Sequence, residues 1–288
     1  MASPEPMSAL TFHSAERLAD DQLAHLFNRG YTGYYVPVTL DATAFRAMVT
    51  ANDIDLGASR VGERDGAPVA FAMLAIRGRR GWIGGMGVVP EARGQGGGRA
   101  IMEAVLESAR ARGLATVDLE VLEQNQPAAR IYEALGFRDR RWLDVWSREP
   151  APLPPASGPL PAVEAVPVAE CLARHARFHR RPAPWQRDLG SLQHWADRLE
   201  ACAVRDRRGW VAWTLFRADG RLLNLADLAA RARAAPAALE ATLRDALSAH
   251  PESTLTLINL PADDPASNCL RGLGAVVKLR QREMTRAL

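Results

Sequence analysis

Residues 94–98 read Gly-Gln-Gly-Gly-Gly, four glycines in five positions. They stand directly after the apolar run "GWIGGMGVV" and directly before "GRAIMEAVLESARARG", whose apolar residues recur at helical spacing. Glycine has the highest ordering cost of any residue, so such a run is a slack linker or a surface that something approaches closely. The flanks disfavour the linker, because a strand leads in and a helix leads out. A helix N-terminus carries unpaired N–H groups and about half a positive charge. Glycines leave those amides bare for a bulky anion. A strand, a helix and a further strand with a glycine-rich first turn imply a parallel crossover. The nucleotide P-loop is excluded, since Gly98 is followed by Arg99-Ala100 rather than Lys and Ser/Thr. The dinucleotide pattern Gly-x-Gly-x-x-Gly fits only loosely here and belongs near a first strand.

Around this junction, residues 1–149 alternate helices and strands. Leu18, Leu23, Leu26 and Phe27 share one face of a helix over 16–30, and 42–53 forms a second helix. Asp65-Gly66 marks a hairpin within a run of strands, and Gly113 closes the helix after the glycines. "ATVDLEVLE" reads as a strand, "QPAARIYEALG" as a short helix ending at Gly136, and "RRWLDVWSR" as a final strand. Residues 150–161 contain six prolines and predict a semi-rigid linker to a second domain over 162–288.

The 288 residues suffice for two domains with real cores. A net charge of +3, with arginines offset by carboxylates, is far short of a nucleic-acid signature and disfavours an RNA-associated protein. The first twenty residues lack a leader core and no apolar run is long enough to span a bilayer. Cys171, Cys202 and Cys269 are widely spaced and imply no disulfide framework. The expectation is a cytoplasmic protein with no membrane or nucleic-acid partner.

Downstream of Arg93-x-x-Gly96-x-Gly98 come Asn125, Ala128, Tyr132 and Leu135-Gly136-Phe137. In order and spacing these two motifs resemble those of the Gcn5-related N-acetyltransferase (GNAT) superfamily, convincingly over 55–147. The resemblance implies an α/β fold with a mixed, mostly antiparallel sheet and one parallel splayed pair. It implies acetyl-CoA as co-substrate, and an acyltransferase that passes the acyl group directly to the amine of a small molecule or peptide. Met86, Gly87 and Val88 would offer strand backbone to the pantetheine arm, with Gly84, Gly85 and Gly87 allowing close approach. Arg93, Gly94, Gln95, Gly96, Gly97, Gly98 and Arg99 would hold the pyrophosphate. Asn125 would bond the cofactor arm, or simply cap its helix. Tyr132 would protonate the leaving thiolate, or be a core aromatic with a wet tip.

Acetyl transfer also needs the amine deprotonated. Alternation along "TVDLEVLE" puts Asp118 and Glu120 on one strand face and Val117, Leu119 and Val121 on the other. Glu120 precedes Asn125 by five residues, a spacing similar to that of the proposed base in ribosomal-protein alanine acetyltransferases of this superfamily. A paired or solvated strand carboxylate is the competing reading. Tyr31, Tyr34 and Tyr35 fall where the superfamily's acceptor site borders the first two helices; they line that site, or pack their loop on its own sheet.

The second half repeats the order of the first. An ungapped offset of 138, placing Arg93 on Arg231, sets Leu135-Gly136-Phe137 over Leu273-Gly274-Ala275. Gly94, Gly96, Gly97 and Gly98 then become Ala232, Ala234, Ala235 and Pro236, while Tyr132, Asn125 and Glu120 become Leu270, Asp263 and Ile258. This predicts a degenerate GNAT-like domain without a cofactor, serving in packing, acceptor capture or homodimer formation. Cys171, His175 and His179 share a helical face, but flanking arginines with only Glu170 to relieve them argue against a metal, and none is expected. Two alternatives stand beside the catalytic reading. One is a non-catalytic acyl-CoA sensor. The other is a tandem enzyme like mycothiol synthase, whose working domain comes second rather than first.

Overall fold

In the computed structural model, which describes residues 10–179, 181–231 and 236–288, the chain divides into two units. They are Met1–Arg140 with Met284–Leu288, and Arg141–Glu283. The first opens with β1 (Thr11–Ser14), α1 (Asp20–Gly30), α2 (Ala42–Ala51), β2 (Arg60–Arg64), β3 (Ala67–Arg77) and β4 (Arg80–Val88). Neighbours β1 to β4 pair antiparallel in sequence order. Asp65 and Gly66 sit at φ 53° and 75°, the geometry of a two-residue turn whose twist matches antiparallel strands. The single helix expected over 16–30 is split. A 3-10 turn at Ala15–Arg17, capped by Ser14, ends on an extended Leu18, and α1 starts afresh beyond it.

Helix α3 (Gly97–Ala111) then crosses back so that β5 (Thr116–Leu122) runs parallel to β4, as the glycine junction predicts. Its buried face of Ile101, Met102, Val105, Leu106 and Ala109 packs on Leu74, Val117, Leu119 and Val121 from the sheet. Each of these side chains except that of Ala109 stabilises the unit by about 1.5–3 kcal/mol. Helix α4 (Gln126–Ala134) and strand β6 (Arg138–Arg148) come next.

The second unit holds β7 (Glu164–Ala165), α5 (Val168–Leu172), α6 (His175–Phe178), α7 (Leu189–Trp195), β8 (Glu200–Asp206), β9 (Gly209–Asp219) and β10 (Leu222–Ala230). Then come α8 (Pro236–Ala249), β11 (Thr254–Pro261), α9 (Ala266–Gly272) and β12 (Val276–Ala287). Strands β8, β9 and β10 pair antiparallel, and β11 runs parallel to β10. The units divide at Arg140, nine residues before the sequence-predicted boundary. From Arg141 onward β6 belongs to the second unit, where Leu143–Arg148 pairs antiparallel with Leu255–Pro261. Conversely, β12 ends in the first unit, which claims Met284–Leu288.

Two irregularities occur at matching places in both units. The β3–β4 register slips between Ile83 and Gly85, and the β9–β10 register slips between Leu225 and Asp227. The parallel pair stops at Trp82↔Asp118 in one unit and at Asn224↔Thr256 in the other, although all four strands continue. These matches correct the ungapped alignment. Its offset of 138 holds for β5 on β11, but β4 lies over β10 at an offset of 142. Arg231 is therefore not the structural counterpart of Arg93. Among the described residues, no helix is long and apolar enough to cross a membrane.

Candidate active site

Beyond Trp82 and Asp118, strands β4 and β5 of the first unit part, so residues 83–88 of β4 no longer pair with β5. The extra residue in the β4 slip is Gly84, a bulge that re-aims the strand where pairing ends. Met86, Gly87 and Val88 lie on this stretch. The glycines there are not open to a ligand on their side-chain face. A Cβ at Gly85 would sit 2.8 Å from Phe27, at Gly87 2.6 Å from Phe71, and at Gly84 2.5 Å from the Trp82 ring. They are bare because aromatic side chains of the same unit lie against them, which corrects the sequence expectation. Any ligand on this strand would meet its edge.

Past the end of β4, the glycine run forms the α3 N-terminus. Gly94 and Gly96 adopt φ 74° and 80°, a backbone region that L side chains rarely enter. Gly96 caps the helix in the left-handed conformation with no side-chain cap, and the first intrahelical bond is Ala100 N–H to Gly96 C=O. The amides of residues 97–99 thus lack helical acceptors, a ready-made anion seat. Arg93 anchors this loop: its guanidinium donates to the carbonyls of Val88 (3.0 Å), Gly30 (3.0 Å) and Thr32 (2.8 Å). Gln95 donates to Glu91 C=O and accepts from Arg64, while Arg99 pairs with Glu103 at 2.8 Å. All three side chains have partners within the unit, and the amides of residues 97–99 are the donors left without a helical acceptor.

The tyrosines converge on the far side of the opening. Tyr31 stacks on Phe27, with ring centroids 4.7 Å apart, and its hydroxyl lies near the Met86 backbone. Tyr34 packs edge-on to Tyr31 at 4.9 Å, and its hydroxyl faces the Asn125 side chain. Tyr35, half exposed, donates to Gln124 C=O at 3.1 Å. The loop therefore reaches from β4 to the start of α4 instead of only packing on its own sheet. Asn125 caps its helix, the second of the two readings given for it: its Oδ1 accepts from Ala128 N–H, and its side chain also faces Tyr34. Tyr132, buried on α4, stands edge-on to Phe137 at 5.9 Å. Burial, and then Tyr31 and Tyr34, push its phenol well above the ordinary value, so it keeps its proton at any working pH. No described residue bonds its hydroxyl. Glu120 accepts from Trp82 Nε1 at 2.7 Å, while Asp118 is paired with Arg80 and Arg140. No sequence signal flagged Trp82.

In the second unit, Ala275 N–H bonds Leu270 C=O at 3.0 Å just as Phe137 N–H bonds Tyr132 C=O, so Leu270 does occupy the Tyr132 position. Asp263 pairs with Arg181 at 2.5 Å, Ile258 is exposed, and Pro236 opens α8 without an N–H to offer. Ala232, Ala234 and Ala235 lie outside the described residues.

His175 and His179 do meet a carboxylate that sequence spacing missed, Asp227 on β10. Ligand atoms of the three lie within 4.8 Å of one another. Asp227 is fully buried and accepts from His179 Nε2 (3.0 Å), Trp213 Nε1 (3.1 Å) and Arg187 (3.4 Å), while His175 Nε2 has no partner. The trio can in principle hold an ion, but the Arg187 guanidinium on the same carboxylate opposes a dication. Burial alone would raise the Asp227 carboxyl; His179, then Arg187 and His175, outweigh it and hold it well below the usual range. A depressed carboxylate stabilises the fold above its unfolded value, near pH 4, and that contribution fades as pH falls. Asp227→Asn is expected to cost about 3–5 kcal/mol at pH 7. The deficit shrinks toward pH 3, and urea unfolding at both pH values measures it.

Residues 21–137 match the acetyltransferase (GNAT) family. A mycothiol acetyltransferase of Thermomonospora curvata is 41% identical over 91 residues, 31% of this chain and 30% of that protein. The [ribosomal protein bS18]-alanine N-acetyltransferase of Escherichia coli K12 is 34% identical over 90 residues, 28% of this chain and 61% of that protein. The aligned region thus spans under a third of the first relative and under two thirds of the second. Among solved structures, a GCN5-related N-acetyltransferase from Sphaerobacter thermophilus superposes with TM-score 0.73 at 17% identity, over 96% of this chain and 95% of that one. A tandem GNAT protein from the clavulanic acid biosynthesis pathway gives 0.68 at 16% identity, over 97% and 98%. At such identities these two likenesses speak to fold alone.

Proposed function

We propose, from the premise that residues 21–137 form a domain of the GNAT acetyltransferase family, that the first unit transfers an acetyl group from acetyl-CoA directly to a primary amine. The observation that carries this reading is the parting of β4 and β5 between a side-chain-free helix N-terminus and a buried, protonated Tyr132.

The residues fit the co-substrate. The amides of Gly97, Gly98 and Arg99 would take the pyrophosphate, and the free β4 edge at Met86–Val88 the pantetheine arm. When bound, acetyl-CoA supplies an activated thioester carbonyl. The amine nitrogen forms the new C–N bond as the C–S bond breaks. Tyr132 gives its proton to the departing sulfur, and Glu120, directly or through water, takes the proton lost by the amine. Ordinary phenol and thiol differ by about 1.5 pKa units, roughly 2 kcal/mol; burial raises the Tyr132 phenol further, so the proton passes to sulfur only as the thiolate forms beside it. The described cysteines all lie in the second half, so the first unit offers none for an acyl-enzyme.

Trp82 would set the position of Glu120. Trp82→Phe is expected to lower kcat/KM about tenfold, the scale of one hydrogen bond to a charged group. The acidic limb of the pH–rate profile should move to higher pH, because a carboxylate without its donor is more easily protonated. An unchanged profile would remove Glu120 from the role of base.

The two relatives are named for a small-molecule product and for a protein alanine, which keeps both acceptor classes open. The test is release of CoA thiol by the full chain across an amine panel holding aminosugar thiols, polyamines and peptides with N-terminal alanine. Turnover with one class supports the enzyme. Binding of acetyl-CoA with no release across the panel would make the protein a sensor. In that panel, preference for an aminosugar thiol would favour the mycothiol-synthase-like reading.

A further inference from the structure

Within the second unit, four arginines surround a cavity of about 260 Å³: Arg174 and Arg177 from the α6 segment, Arg208 from the β8–β9 turn, and Arg231 from the end of β10. Phe178 and Trp210 complete its wall. Two of the arginines are held in place. Arg174 donates to Glu170 C=O at 2.7 Å and lies 4.7 Å from the Trp210 ring centroid, where Arg205 also stacks at 4.3 Å. Arg231 pairs with Asp206 at 2.8 Å and donates to Arg208 C=O at 3.5 Å. Arg177 and Arg208 have no ion-pair partner among the described residues, and both are exposed toward solvent.

The charges do not balance. Among the described residues, Arg174, Arg177, Arg205, Arg208 and Arg231 face three carboxylates: Glu164 and Glu170 on Arg205, Glu170 also on Arg174, and Asp206 on Arg231. Two positive charges remain. Guanidiniums crowded into a concavity repel one another, and an anion placed between them removes that repulsion. A phosphate monoester carries close to two negative charges at neutral pH and three terminal oxygens. Planar guanidinium forks bind such a group bidentately, and its second charge and third oxygen can engage more of the four arginines than a lone monocarboxylate can. A long polyanion is disfavoured, since Glu164, Glu170 and Asp206 stand among the arginines and the cavity admits only a small molecule.

We propose that this cavity binds a small phosphorylated molecule, its phosphate seated between Arg174, Arg177, Arg208 and Arg231 and its organic part against Phe178 and Trp210. The site is built from α6, the β8–β9 turn and the end of β10. It shares no residue with the acetyl-transfer site proposed for the first unit and does not depend on that assignment.

Calorimetry on the full chain tests it, with inorganic phosphate and ribose 5-phosphate as probes in a phosphate-free, low-salt buffer. Saturable binding is expected for ribose 5-phosphate. The pair Arg177→Ala and Arg208→Ala, both exposed positions, should weaken it about tenfold or more while leaving the circular dichroism unchanged. Gly98→Val, which crowds the α3 amides, should leave it untouched. No heat up to about 5 mM of either probe overturns the proposal. So does binding that survives the arginine variants but is lost in Gly98→Val, which would place the phosphate on α3. Succinate binding as tightly as ribose 5-phosphate would also sink it, because the recognition would then be of charge and not of phosphate.

Discussion

Tyr132→Phe is expected to lower kcat about 10²- to 10⁴-fold, the usual worth of a positioned general acid, with acetyl-CoA affinity unchanged within about twofold. The structure makes this substitution unusually clean. Phenylalanine keeps the ring against Phe137, and no described residue bonds the hydroxyl that is removed. Stability should therefore barely move, and a loss of rate reports on chemistry alone. Stopped assays of thiol release, paired with calorimetric titration of acetyl-CoA, read the two quantities separately. An unchanged kcat would assign the proton donor elsewhere. A fall in affinity matching the fall in rate would make Tyr132 a binding residue.

The fragment 1–149 is expected not to fold. It lacks Met284–Leu288, which belong to the first unit. Met284 is fully buried in that unit's core, Leu288 packs against the same cluster, and Leu288 N–H bonds Ala115 C=O at 3.1 Å. Losing a buried methionine alone costs about 2–5 kcal/mol, against a usual total of about 5–15 kcal/mol for a domain. The fragment also ends in residues 141–148, whose ladder partners are Leu255–Pro261; Leu143 and Trp146, buried in the full chain, would face water. An exposed apolar edge of this kind aggregates. Light scattering and thermal melts should show association and no cooperative transition. A chain of residues 1–140 joined by a short linker to 284–288 should recover both solubility and acetyl-CoA binding. A monomeric, cooperatively melting 1–149 would refute the division at Arg140.

What the sequence disclosed was local. The Asp65-Gly66 turn, the apolar face of α3 and the glycine-capped junction each depend on residues a few positions apart, and each appears as read. The alternation that separated Glu120 from Val117, Leu119 and Val121 also stands. What stayed hidden depends on contacts between distant positions. Trp82 meets Glu120 across the last rung of a parallel pair, and Tyr35 reaches Gln124 from 89 residues away. Asp227 comes to His179 from 48 residues away, so helical spacing could show the imidazoles but not their carboxylate. Gly85 and Gly87 misled for a related reason. Their bareness signals close approach, but only the fold reveals that Phe27 and Phe71 are what approaches. The different offset of β4 on β10 was hidden by alanine richness, which lets an ungapped register look acceptable.

The ownership of Met284–Leu288 by the first unit also bears on how the protein is made. An N-terminal domain ordinarily matures while the ribosome is still translating the C-terminal remainder of the chain. Here, translation must pass from Arg140 to Met284 before the missing piece exists, a wait of about 7–30 s at common elongation rates. Throughout that interval the nascent unit carries an open core, a natural client for holdase chaperones. A copy truncated before Met284 would never close that core and is expected to be inert in acetyl transfer.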